Sequence, residues 1–321
     1  MYLRPRCALL PGVRSDRGPA DALRRRGRRH CRGTRPAGRQ PTTFAKVRAR
    51  RSFLYNGVVT EARDEARPWF RAVGVAEDLN DRLSLAWVVD TDVAHDLVPD
   101  ACVDVVWLPD GSVRVCGPEV EGWTFFPLDG PEPVGIRFRP GHAAPVVGTA
   151  MDEIRDQRVM VEDLLGADGR RLVEELGELP EIAPPERRIA VLENHIRRWI
   201  SEGHNVDPLA EHVATTLTDD PGRRVDGLRR ELDVSERQLL RRCTVAFGYG
   251  PATLRRILRL QRFLALAGGT HTDDSPGRGI ASLAAQAGYA DQQHLARDAR
   301  AIARATPSEL VADRIPDLNS T

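Results

Sequence analysis

The chain has 321 residues, 41% of them apolar, which is enough for two ordinary domains; its five cysteines (Cys7, Cys31, Cys102, Cys116, Cys243) lie scattered without a C-x-x-C pair, against a disulfide framework or a zinc site. No apolar run nears the roughly 20 residues of a bilayer span, and Cys7–Val13 is too short and too broken by Pro11 for a signal-peptide core, so no membrane contact and a cytoplasmic location are expected. The net charge of +1 hides a segregation: +14 over residues 1–51, −18 over 52–221 and +5 over 222–321, as in an acidic partner-binding part joined to a polyanion-binding part.

Residues 1 to about 55 are rich in Arg, Gly and Pro and lack apolar periodicity, so the leader, 1–60, is expected to be disordered. It reads either as a basic arm that touches DNA or as translated sequence ahead of a true start near Val58 or Val59. The 46 arginines against one lysine mark a GC-rich coding sequence and favour the second reading. From Ala66 to Gly141 short apolar runs alternate with turns. Leu83–Val89, Val103–Leu108, Ser112–Cys116, Trp123–Leu128 and Val134–Phe138 are expected strands, divided by Pro109–Gly111, Gly117–Pro118 and Asp129–Pro133. Their close spacing predicts a small antiparallel sheet or barrel. Asp100, Asp104, Cys102 and His95 alternate without a second ligand cluster, so no metal site is expected. Arg137 and Arg139 are expected on one face, in salt bridges rather than on an anionic effector. No nucleophile elbow, phosphate-binding loop or dinucleotide fingerprint occurs, so no cofactor and no catalytic residue are expected.

Beyond Gly141 the pattern turns helical, over Met151–Asp156 and Val161–Leu176. Ile189, Leu192, Ile196 and Trp199 then form one stripe of a connecting helix, Glu186–Ile200, read as packing on a neighbouring domain or as a dimerisation helix. The β-rich domain is placed at 66–180 and the connector at 186–203.

Asp207-Pro208 opens a helix that buries Leu209, Val213 and Leu217. A second helix, Val225–Leu232, meets the turn Asp233-Val234, and Ser235 caps a third, Glu236–Phe247. With Leu239, Cys243 and Phe247 inside, that helix leaves Arg237, Gln238, Leu240, Arg241 and Arg242 outside. Two short helices across a tight turn, the second cationic, make a helix-turn-helix. After a long helix from Pro251 to Leu266 and the glycine-rich loop Gly268–Gly279 the pattern repeats. Ile280, Leu283 and Ala284 line one helix, Gly288-Tyr289-Ala290 turns, and Asp291 caps Gln292–Ile302, with Gln292, Gln293, Ala296 and Arg297 outside and His294 at its mouth. Thr306-Pro307 caps a last helix to Val311.

The runs Ser235-Glu-Arg-Gln-Leu-Leu-Arg-Arg, Phe247-Gly-Tyr-Gly-Pro251, Ala287-Gly-Tyr-Ala-Asp-Gln-Gln-His-Leu-Ala-Arg297 and Thr306-Pro-Ser-Glu-Leu310 resemble the DNA-binding domain of AraC/XylS-type transcription regulators. Pro99-Asp-Ala-Cys-Val-Asp-Val-Val-Trp107, Val115-Cys-Gly-Pro118 and Gly135-Ile-Arg-Phe-Arg-Pro-Gly141 are similar to the uncharacterised N-terminal domain of a subset of that family. The resemblance implies base contacts at Arg237, Leu240, Arg241, Gln292, Gln293, Ala296 and Arg297. Three positions depart from it: Cys243 and Ala299 stand where phenylalanine is common, and Arg304 where glycine is usual.

The expected fold class is α+β: a small N-terminal antiparallel β domain with helices, then an all-α double helix-turn-helix domain at 207–313. The expected protein is a sequence-specific, nucleoid-associated transcription regulator whose helices 235–247 and 291–302 read successive major-groove segments. Its N-terminal domain is expected to sense a small-molecule effector or to mediate self-association, the oligomeric state staying open. Double-stranded DNA and RNA polymerase are the expected macromolecular partners. The alternative is a DNA-alkylation-repair fusion enzyme with a methyl-acceptor cysteine, for which Cys102 and Cys116 lack the neighbours.

Overall fold

A computed structural model of the chain describes residues 69–268 and 279–312; the 1–60 leader and residues 269–278 of the glycine-rich loop lie outside the described residues. The N-terminal half follows from the two-residue alternation of extended chain. Its strands are β1 (Phe70–Val73), β2 (Leu83–Val89), β3 (His95–Leu97), β4 (Asp104–Trp107), β5 (Val113–Cys116), β6 (Trp123–Phe125), β7 (Val134–Phe138) and β8 (Arg158–Met160). Six form one antiparallel sheet, in the order β1-β2-β7-β4-β5-β8, and β3 pairs with β6 alone.

Along these strands every second side chain looks one way. Ala86, Val88, Val105, Trp107, Val113, Val115, Val134, Ile136 and Phe138 share a core with the helices that follow. Leu85, Trp87, Val89 and Val106 look the other way, toward the β3–β6 pair. On that second face Trp87 lies opposite Gly135 in register, and a Cβ at Gly135 would stand 2.2 Å from the indole ring. Only glycine lets the ring lie flat on β7.

The helices covering the first face are α1 (Ala144–Val147), α2 (Val161–Leu165), α3 (Ala167–Gly177) and α4 (Pro185–Glu202). The stripe Ile189, Leu192, Ile196 and Trp199 of α4 is buried in the core of the sheet. Burial of each such aliphatic side chain contributes about 1.5–3 kcal/mol, so the connecting helix is anchored to the N-terminal half rather than free between halves.

Five strands were legible as apolar runs, three of them longer in sequence than in the fold. The structure adds β1, β3 and β8. β3 carries His95 and Asp96 and forms through contacts remote in sequence: Trp69 stacks on the His95 ring at 3.7 Å between centroids, and the Asp96 carboxylate accepts from the Thr124 hydroxyl. Arg139 departs from the expected face. It lies past the end of β7, exposed, and donates to the Asn80 carbonyl.

The C-terminal part is α5 (Pro208–Asp219), α6 (Val225–Glu231), α7 (Glu236–Phe247), α8 (Pro251–Gly268), α9 (Ile280–Gln286), α10 (Gln292–Ala303) and α11 (Pro307–Ala312), around one core. Four of the N-caps have a local cause. Asp207 accepts from the Leu209 N–H, Ser235 and Gln238 form a reciprocal capping box, Asp291 accepts from the His294 N–H, and Thr306 and Glu309 repeat the box at α11. Gly288, at φ +85°, brings the α9–α10 turn against the α5–α6 loop, where a Cβ would meet the Gly222 backbone at 2.9 Å. The α5–α6 loop and the turn between α9 and α10 therefore touch through glycine on both sides.

Arg304 ends α10 in the left-handed region (φ 55°), a conformation that suits glycine far better. Its pair with Glu121 is solvent-exposed on both sides and adds little. Arg304→Gly is accordingly expected to raise the thermal midpoint by about 1–3 °C, read by calorimetric melting. An unchanged or lowered midpoint would mean that the ion pair outweighs the backbone strain.

The two halves are joined by loops. The side-chain amide of Gln261 on α8 donates to the Pro99 carbonyl at 2.6 Å, and Val98 and Ala101 enter the helical core. The Gly122 N–H donates to the Ile302 carbonyl at 2.6 Å, while Arg155 donates to the Gly248 carbonyl that ends α7. Pro118 lies against Gly248 as well.

Candidate nucleic-acid interface

The first unit is α6, the turn Asp233-Val234 and α7; the second is α9, the turn at Gly288 and α10. In each, apolar side chains pin one face of the second helix: Leu239, Cys243, Ala246 and Phe247 of α7, and Leu295, Ala299, Ile302 and Ala303 of α10. Cys243 and Ala299 are fully buried, so smaller side chains fill the places of the usual phenylalanines.

The opposite faces hold the residues singled out in the sequence. On α7, Arg237, Gln238, Leu240 and Arg241 are exposed, and Leu240, 51% exposed, puts an apolar surface between two arginines. Gln238 is also half of the capping box. Arg242 is turned inward: Asp207 accepts from its Nε at 2.6 Å and from its Nη2, which ties α7 to the start of α5. On α10, Gln292, Gln293 and Arg297 are exposed and Ala296 is half-buried. His294 packs edge-on against Tyr289, and its Nε2 lies 3.0 Å from the Arg259 guanidinium. Burial, then the Arg259 charge, hold the His294 imidazole below its ordinary value, so near neutral pH it is uncharged and accepts from Arg259.

Beneath α10 lies a group of residues that spacing alone did not flag. Arg256 and Arg259 of α8 grip the Asp298 carboxylate at 2.8 and 2.7 Å, and the Arg259 guanidinium stacks on Tyr289 at 4.3 Å. Arg259 and Asp298 are both 3% exposed. The outward arginines differ in kind. Arg237, Arg241 and Arg297 make no side-chain hydrogen bond among the described residues, and so present their donors to whatever lies outside.

Comparison with known proteins follows the same division. Residues 228–313 match the family model of a helix-turn-helix domain, and residues 76–160 match a domain of unknown function, DUF6597. No curated protein matches the chain. Among solved structures the chain is similar to ToxT from Vibrio cholerae O395, at 11% identity and a TM-score of 0.36, over 79% of this chain and 100% of that one. The same protein bound to (E)-4-(8-methylnaphthalen-1-yl)but-3-enoic acid is 12% identical, with a TM-score of 0.40, over 77% of this chain and 99% of that one. ToxT from Vibrio cholerae strain SCE256 with unsaturated fatty acid bound gives 13% and 0.36, over 68% and 93%. The ordered pair of helix-turn-helix units and both domain matches agree: the chain carries an AraC-type helix-turn-helix domain behind an N-terminal domain of unknown function.

Proposed function

We propose that the chain reads two successive major-groove segments of one duplex, with α7 in the first and α10 in the second. One observation carries this reading: on both helices the inner face is locked by core and ion pairs while Arg237, Arg241, Gln292, Gln293 and Arg297 stand exposed. Arginine forks two hydrogen bonds to guanine and glutamine two to adenine, each good pair giving about 1–3 kcal/mol of discrimination, and the exposed Leu240 suits a thymine methyl. Arg242 and His294 support the helices from behind in this reading, and base contact falls to their neighbours. The domain division proposed with it is a sensor or self-association domain at 66–180, a connector at 186–203 and the reading domain at 207–313. The protein would work in the cytoplasm on the nucleoid, with RNA polymerase as a further partner.

In selection from a random duplex pool, the parent is expected to recover one motif of about two helical turns. Arg237→Ala and Arg297→Ala are expected to relax the choice of base at different positions by roughly 5–100-fold, with the rest of the motif kept. Recovery of the parental motif unchanged by both variants would refute the assignment of readers. Among the described residues nothing favours a methyl-acceptor cysteine: burial pushes the Cys116 thiol up to about 12, away from the thiolate that such chemistry needs, and Cys102 is buried.

A further inference from the structure

Between the second face of the large sheet and the β3–β6 pair lies a cavity of about 310 Å³, large enough for a small organic molecule. Its walls are mainly Trp69, Trp87, Val106, Trp123, Phe125 and Leu128. We infer that this cavity is a binding site for a flat, uncharged, mostly apolar molecule that carries a hydrogen-bond acceptor. The inference rests on reading the N-terminal domain as a sensor, and it names the class of molecule sensed.

Each charged group at the cavity's inner end already faces one of opposite sign. Arg137, 5% exposed, is held by Asp104 through two hydrogen bonds of 2.8 Å and by Asp100 at 2.7 Å. Arg158 pairs with Glu119, and Arg114 with Asp110 at 3.8 Å. A ligand bearing either charge must break one of these pairs or enter without a counterion, and both routes are costly in a poorly solvated site.

The donors are less well matched than the charges. The indole N–H groups of Trp87 and Trp123 and the Nε–H of Arg158 are buried and find no acceptor among the described residues. All three belong to residues that line the cavity, and the Arg158 guanidinium lies flat on the Trp123 ring, 3.6 Å from its centroid. Aromatic walls with spare donors suit a planar carbonyl compound better than a plain hydrocarbon.

Titration calorimetry of the full chain at pH 7.5, without DNA, tests this with four biphenyls of one shape. These are 4-acetylbiphenyl, 4-ethylbiphenyl, biphenyl-4-carboxylate and 4-phenylbenzylamine. The ketone is expected to bind at least about tenfold tighter than the acid or the amine, and several-fold tighter than the hydrocarbon. Trp123→Phe keeps the wall but removes an N–H, and is expected to shrink the ketone's advantage over the hydrocarbon. Val106→Phe fills the cavity and is expected to abolish binding of all four, with a melting midpoint near the parent's showing that the fold persists. The proposal is overturned if no biphenyl binds, if a charged one binds best, or if Val106→Phe in a folded chain leaves binding intact. Random-pool selection without any biphenyl judges the regulator reading separately, so the two can fail independently.

Discussion

Replacing Asp298 by alanine is expected to destabilise the chain by about 3–5 kcal/mol, the usual cost of removing one partner from a buried ion pair. Arg259 is as buried as Asp298, and would be left with His294, which is uncharged near neutral pH, as its remaining hydrogen-bond partner. Arg256 is half-exposed and can turn to water, so the penalty falls on Arg259. Urea unfolding at pH 7 reads the loss as a lowered midpoint. The double variant Asp298→Ala, Arg259→Met removes the stranded charge along with its partner and is expected to recover much of it. A parental midpoint for Asp298→Ala alone would show that Arg259 finds water, and would end the argument for a buried lock. Because Asp298 lies on α10 and its partners on α8, the same variant is expected to loosen the second reader while the first keeps its seat on α5 through Arg242 and Asp207.

Arg137→Met should be nearly as damaging, again by about 3–5 kcal/mol, and with a pH signature that a simple packing defect lacks. The substitution leaves Asp100 and Asp104 facing each other at the inner end of the cavity without their shared cation. Burial already raises the Asp100 carboxyl above its ordinary value of 3.8, with Arg137 opposing the rise. Without Arg137 the rise grows. A carboxyl whose pKa is higher in the fold than in the unfolded chain favours folding while protonated, and that contribution drains away as pH climbs through the folded value. The gap in urea midpoint between variant and parent should therefore be widest near pH 8 and narrower near pH 5. A gap that stayed constant over this range would assign the loss to packing alone.

Legibility in the sequence followed the range of the interactions. α7 and α10 were readable because their caps, inner stripes and turns are local: Ser235 with Gln238, Asp291 three residues before His294, Gly288 between two helices. β2 and β7 were readable as apolar runs. β3 and β8 were not, since three residues each, with His95, Asp96 and Arg158 among them, become strands only when distant partners arrive. The same holds for side-chain roles. Arg242 looked like one more outward arginine until the fold placed Asp207, 35 residues away, against it. Arg137 was expected in a salt bridge and is in one, but its partner strand, in register at Asp104, is a matter of sheet pairing. The cavity had no one-dimensional signature, because its walls come from both sheets and from the segments between them.

The loop from Gly117 to Gly122 acts as a crosspiece. Near one end Pro118 rests on Gly248, where α7 stops; at the other Gly122 is bonded to Ile302, near the end of α10, and in between Glu119 faces the cavity. A single short segment thus addresses the trailing ends of both proposed readers, the ends away from the residues assigned to the bases. A displacement of Glu119 would therefore bear on the C-terminal ends of α7 and α10 together, away from the exposed side chains proposed to meet the bases.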